Sequence, residues 1–139
     1  MDWIVWADTL DTGHAGMDAE HKELAQLFNR LRDAAESGEG KAACAGVLDG
    51  IIGHTRTHFE MEQRLMTQYR YPKIEQHAAE HAMLIRQALD YRDNFDLDSA
   101  ESRSALMRFP EVWLEFHILF SDKALAAFLD RARRDPAKA

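Results

Sequence analysis

Two pairs of side chains able to bind a metal stand four residues apart in this chain, His58/Glu62 and His77/His81. Residues four apart on an α-helix differ by about 40° around its axis and so share a face. A chain that brings both pairs to one point must hold them on helices. His21 and the pair His117/Asp122 extend the set to five imidazoles and two carboxylates among 139 residues. Histidine is the commonest metal ligand, and carboxylates on bundle helices build two-metal sites.

The rest of the sequence is consistent with helices. Asp18 is a good N-cap for a first helix that carries His21, Leu24, Leu27, Phe28 and Leu31 on one stripe. Ser37-Gly38-Glu39-Gly40 breaks it. The second helix is expected from Lys41 to about Tyr69, with Val47, Ile51, His58, Glu62 and Leu65 inward. After Tyr71-Pro72, a third starts at Pro72 or Lys73 and runs to about Arg92, turning His77, His81 and Leu84 or Ile85 inward. Asp93-Asn94-Phe95-Asp96 reads as a turn. Asp98 with Glu101, or Ser99, opens a fourth helix that ends near Ala132. Pro110 lies inside it and is expected to kink it or to start a new helical piece.

Short connections between long helices make antiparallel neighbours. The expected fold is therefore all-α, an up-down-up-down antiparallel four-helix bundle over residues 18–132. Residues 1–17, with Trp3 and Trp6, form an ordered N-terminal arm, and residues 133–139 a tail. Together they make one domain with no internal repeat.

An apolar fraction of 46% suffices for a core, and a net charge of −7 argues against a nucleic-acid partner. The basic cluster Arg131, Arg133 and Arg134 follows a helix and complements its negative end. The single cysteine, Cys44, allows no internal disulfide and reads as a buried, inert thiol, which fits a reducing compartment. The N-terminus does not read as a signal peptide, and no apolar stretch approaches the roughly 20 residues that span a bilayer. The expectation is a cytoplasmic protein without membrane insertion.

Burying five imidazoles without partners would cost a few kcal/mol each. A metal removes that penalty, because ring nitrogens become ligands. The alternative, histidines turned to solvent, requires the helical stripes to be misread at several places together.

The residues Asp18-Ala19-Glu20-His21, His58-Phe59 with Glu62 and Met66, His77 and His81, Trp113, His117-Ile118 and Asp122-Lys123 resemble the hemerythrin family, and most closely its single-domain bacterial members. The likeness spans essentially the whole chain. It implies a non-haem di-iron centre held by His21, His58, Glu62, His77, His81, His117 and Asp122, with an oxo or hydroxo bridge. His77, His81 and His117 would saturate one iron, and His21 and His58 would hold the other. Two octahedral irons offer about 12 positions, of which these ligands and the bridge fill about 11. The open position implies O₂ as the partner. Phe59 and Trp113 match positions that wall the O₂ pocket. Leu24, Leu84, Phe116 and Phe120 read as plain core.

Activating di-iron bundles are carboxylate-rich and carry Glu-x-x-His on two helices, whereas this chain has no Glu-x-x-His. An imidazole-rich set disfavours high-valent iron. The expected role is thus reversible O₂ binding for storage, delivery or sensing rather than catalysis. A standalone domain fits storage or delivery better than signalling. The competing readings are a di-iron enzyme handling peroxide or NO, a ferroxidase, or a zinc-holding bundle. Zinc needs only about four ligands, so seven is an excess.

One spacing strains the pattern. His117 and Asp122 are five apart, about 140° on a regular helix. Either Asp122 approaches from the side or the helix is distorted there, as by a π-bulge. His54, one turn before His58, reads as supporting, core or surface, and His14 as a loop residue. Glu20, Glu60 and Glu80 flank the ligand positions and read as a solvated face. Gln63 stands where many relatives have a second acid.

Overall fold

The computed structural model describes residues 10–134, apart from the side chains at 111, 112, 114, 115 and 119. Trp3, Trp6 and most of the expected arm lie outside the described residues, as does the tail after Arg134. The four rods are α1 (Ala15–Glu36), α2 (Lys41–Gln68), α3 (Ile74–Asn94) and a compound fourth rod. That rod runs as α4 (Ala100–Glu111), a π-helical segment (Val112–Asp122) and α5 (Lys123–Arg134). Every described element is helical, and the rods form the expected four-helix bundle. Neighbouring α1 and α2 pack together, α2 packs on α3, and α4 closes onto α1.

The chain's own caps set the helix ends. α1 begins one turn earlier than Asp18 suggests, so helix replaces arm from Ala15 onward. His14 is its N-cap, its Nδ1 accepting the Met17 N–H at 3.1 Å. Asp18 sits inside the first turn, where a carboxylate suits the positive helix end. Its carboxylate gathers the preceding loop, accepting from Thr12 N at 2.8 Å and Thr12 Oγ1 at 2.7 Å. Gly38 and Gly40 have φ of 74° and 95°, which turn the chain between α1 and α2 where a side chain would be strained. At the next reversal Arg70 takes a left-handed φ of 54°, and the Tyr71 N–H returns to Met66 O at 2.9 Å. Of the two candidate caps for α4, Ser99 serves, its Oγ accepting the Ser102 N–H at 3.2 Å.

Pro110 does not break the fourth rod. α4 passes through it, and the π-helical segment starts two residues later. Proline lacks the N–H that Leu106 O would accept in an α-helix, so that turn is already free of one constraint.

Two apolar clusters fill the bundle. One contains Leu24, Phe28, Leu31, Leu48, Ile51, Phe59, Leu84, Phe109, Trp113 and Ile118. The other contains Met17, Met66, Tyr71, Leu125, Ala126 and Leu129. His21 falls between Met17 of the second cluster and Leu24 of the first, and Glu62 between Phe59 of the first and Met66 of the second. The polar residues therefore form a layer sealed by hydrocarbon at both ends. Leu84, not Ile85, is the buried member of that α3 turn.

Phe116 and Phe120 depart from the core expectation. They are 59% and 68% exposed and stack on each other at 6.0 Å between ring centroids. The wider π-helical turn points His117 and Asp122 inward together. Residues 116 and 120 are thereby carried to the outer side.

Candidate metal centre

Each rod delivers its polar residues by a local rule. His58 and Glu62 share a face of α2, and His77 and His81 share a face of α3, because each pair is four apart. α1 contributes His21. The fourth rod reconciles its five-residue spacing through the π-helix, whose hydrogen bonds join residues five apart and so stack them on one side. All seven side chains are buried, with Glu62 and Asp122 at 0% exposure.

The ligand-type atoms converge in two overlapping groups. One comprises Glu62, His77, His81, His117 and Asp122, and the other His21, His58, Glu62 and Asp122, with atoms within 4.8 Å of one another in each. Both carboxylates belong to both groups. Glu62 Oε1 lies 2.8 Å from His77 Nε2 and 3.0 Å from His81 Nε2, while Glu62 Oε2 lies 2.5 Å from His58 Nε2. Asp122 reaches His21 Nε2 at 2.9 Å, His117 Nε2 at 3.1 Å and His77 Nε2 at 3.3 Å.

The atoms are close but are poorly aimed at each other. Among the described residues, Glu62 Oε2, His81 Nε2, His117 Nε2 and both Asp122 oxygens are buried and meet their partners only in close, poorly directed contacts. Unmatched buried polar atoms are costly and rare. Lone pairs that meet at a shared point instead of pairing are what a metal needs, so the donor set fits one. It is also a chemically mixed N/O set with more imidazole than carboxylate, as suits iron better than magnesium or calcium.

Without a metal, protons do the balancing. Burial opposes charging His58, yet the Glu62 hydrogen bond and charge, aided by Asp122 and Glu20, raise it to about 8. Burial likewise opposes His77, which Asp122 and Glu62 raise to about 9. For His117, burial is outweighed by the charge and hydrogen bond of Asp122, with help from Glu80, and the ring rises to about 10. His81 goes the other way: burial lowers it, and the neighbouring His77 and His117 add to that. Burial and Asp122's charge push Glu62 up, but hydrogen bonds from His58, His77 and His81 win and hold it below the usual carboxylate range. Burial resists ionisation of Asp122 too, and His117, His21 and His77 overcome it.

An aromatic wall stands beside the three-histidine group. Phe59 lies flat on His81, with centroids 3.6 Å apart and planes 5° apart, and on Trp113 at 5.5 Å and 9°. Trp113 also faces His117 at 5.9 Å. Leu24 and Leu84 are buried core, as expected.

Residues outside the expected ligand set also stand around the layer. Glu20 accepts from His58 Nδ1. Glu80 accepts from His117 Nδ1 at 2.6 Å and from Ser121 Oγ at 2.6 Å. Neither faces solvent alone, contrary to the expectation; Glu60 does. His54 is half-buried and ties α2 to α1, its Nε2 within 3.0 Å of Glu20 O. The hint was the dipeptide Glu-His, which occurs at Glu20-His21 and again at Glu80-His81.

With this geometry in hand, the comparisons are decisive. Residues 12–129 match the family described as the hemerythrin HHE cation binding domain. The chain belongs to the hemerythrin family. It is 32% identical to a bacteriohemerythrin of Pseudomonas aeruginosa over 136 residues, covering 96% of this chain and 84% of that one. A bacteriohemerythrin of Stenotrophomonas maltophilia is also 32% identical, over 91% of this chain and 81% of its own. A crystal structure of hemerythrin, an L114Y mutant, superposes with a TM-score of 0.81 at 28% identity and covers 93% of this chain and 98% of that chain. These relatives carry the names of hemerythrins. Among the described residues, no helix is long and apolar enough to cross a membrane.

Proposed function

We propose that this hemerythrin binds O₂ reversibly at a non-haem di-iron centre, for oxygen storage, delivery or sensing in the cytoplasm. His77, His81 and His117 would hold one iron and His21 and His58 the other, with Glu62 and Asp122 bridging both. An oxo or hydroxo bridge completes the set, and the hemerythrin-like domain spans residues 1–139. The observation that carries this reading is the sharing of both carboxylates between two groups of buried imidazoles.

A reduced iron pair would supply the electrons that make O₂ binding tight yet reversible. The chain's residues supply the rest. Three imidazoles against two would leave a coordination position on the His21/His58 side only. Five neutral imidazoles against two carboxylates place little anionic charge around the metals, which favours release over activation. Phe59, whose ring centroid also lies 5.9 Å from that of His58, with Trp113 stacked behind it, would exclude water from the pocket and so slow the escape of reduced oxygen species.

The test is an anaerobic titration of the reduced, iron-loaded protein with O₂. Uptake of one O₂ per iron pair, with recovery of the gas on lowering its pressure, supports the proposal. Consumption of O₂ without recovery would replace it with an enzymatic reading.

A further inference from the structure

The bundle repeats one arrangement on its two helix hairpins. Glu20-His21 on α1 faces His58 on α2, and Glu80-His81 on α3 faces His117 on the fourth rod. In each case the glutamate reaches sideways to the Nδ1 of the histidine on the following rod, 38 residues ahead for Glu20 and 37 for Glu80. In each case that histidine is followed by a shared carboxylate, Glu62 at four residues and Asp122 at five. The π-helix absorbs the one-residue difference.

The two glutamates are themselves held. Glu80 takes the Ser121 hydroxyl at 2.6 Å on its second oxygen. The Glu20 backbone carbonyl lies 3.0 Å from His54 Nε2, so two histidines one turn apart on α2 grip the same α1 residue. Both side chains are about one-third exposed, 30% for Glu20 and 31% for Glu80, while the imidazoles they hold are 3% and 2% exposed. Each carboxylate thus stands at the solvent edge and still touches a ring inside the bundle.

We propose that Glu20 and Glu80 are positioning residues of the di-iron centre, one for each iron, that fix the His58 and His117 rings with Nε2 turned to the metal. The inference rests on the proposed di-iron reading. A ring that donates Nδ1–H to a carboxylate has only Nε2 to offer a metal once that nitrogen gives up its proton, so the binding end of the ring is set before metal arrives. The carboxylate also pulls on the Nδ1 proton and pushes electron density toward Nε2. The nitrogen becomes a stronger donor, and it favours ferric over ferrous iron. Because His58 and His117 fall in different ligand groups, the two braces act on different metals.

The experiment uses the iron-loaded protein and the variants Glu20→Gln, Glu80→Gln and Ser121→Ala, with Glu60→Gln as a surface control. A glutamine can still accept a hydrogen bond but carries no charge. Iron retained against increasing chelator is measured together with the midpoint potential of the centre. Losing such a brace costs about 10- to 100-fold in metal affinity. Glu20→Gln and Glu80→Gln are each expected to release one of the two irons at about 10- to 100-fold lower chelator. Both should raise the midpoint potential, a readout that loosened packing alone does not move in one direction. Ser121→Ala should shift both in the Glu80→Gln direction by less, and Glu60→Gln should match the wild type. A wild type that holds two irons, with glutamine variants equal to it in retention and potential, overturns the bracing role alone. A wild type that holds no iron overturns the di-iron reading, and the bracing role with it.

Discussion

Asp122→Asn removes one charge from the buried layer and changes almost no volume, so its effect isolates the electrostatics of the metal-free site. Asp122 is fully buried and touches His21, His77 and His117. The rise of His117 from 6.5 to about 10 is equivalent to about 5 kcal/mol of net preference for the charged ring, at about 1.4 kcal/mol per pH unit. Asp122 is the largest favourable contributor to it, ahead of Glu80 and Glu62. Breaking a buried pair by neutralising one partner typically costs about 3–5 kcal/mol. At pH 6 the metal-free variant should therefore lose about 3 kcal/mol of an unfolding free energy that is about 5–15 kcal/mol for ordinary proteins. The dependence on pH has a definite sign. A raised histidine stabilises the fold fully below its unfolded value of 6.5, and that contribution disappears as pH rises through the folded value. The window here runs from 6.5 to about 10. By pH 10.5 the rings are largely neutral, Asp122 has little positive charge to face, and the loss should shrink toward zero. Urea unfolding of both chelator-stripped proteins at pH 6 and pH 10.5 measures this. An equal loss at both pH values would refute the argument.

Three further expectations concern other links in the same chain of causes. Iron ligands must be deprotonated, so with His58, His77 and His117 raised to about 8, 9 and 10, loading the metal-free protein at pH 7 should expel about three protons. A lightly buffered titration reads this directly, and metal affinity should climb as pH rises toward 10. Phe59→Ala removes the ring stacked on both His81 and Trp113. It should cost about 3–5 kcal/mol in urea unfolding, and it should also hasten decay of the O₂-bound form in the visible spectrum. Thr55 is buried, and its hydroxyl finds no hydrogen-bond partner among the described residues. Thr55→Val, nearly the same shape without the polar atom, should raise stability by about 1 kcal/mol in the same assay.

How far these features could be read without coordinates depended on whether they are local. The breaks at Ser37-Gly38 and Tyr71-Pro72 are local chemistry, and α1 and α2 end at them, whereas α3 runs on through Asp93 and Asn94, the first half of the expected turn. The ligand pairs on α2 and α3 follow from a period of 3.6 residues and were equally legible. Asp122 was not, because its approach depends on an eleven-residue π-helix. A single sequence does not announce a change of helical register, and only the family resemblance selected the residue. The same register change moved Phe116 and Phe120 from the expected core to the surface. Glu20 and Glu80 escaped for another reason. Each sits about 100° from its adjacent inward histidine, which reads as a solvated face, and each acts on a different helix, where periodicity within one helix carries no information. His14 was missed as a cap because imidazole is an unusual one.

The central claim is that seven buried side chains hold a pair of irons that takes up and returns O₂. Iron per chain, measured together with the visible spectrum through one cycle of reduction and re-exposure to air, tests it most directly. Two irons per chain and a charge-transfer band that bleaches on reduction and returns with O₂ is the predicted result. Zinc, an empty protein, or two irons whose band does not return would contradict it.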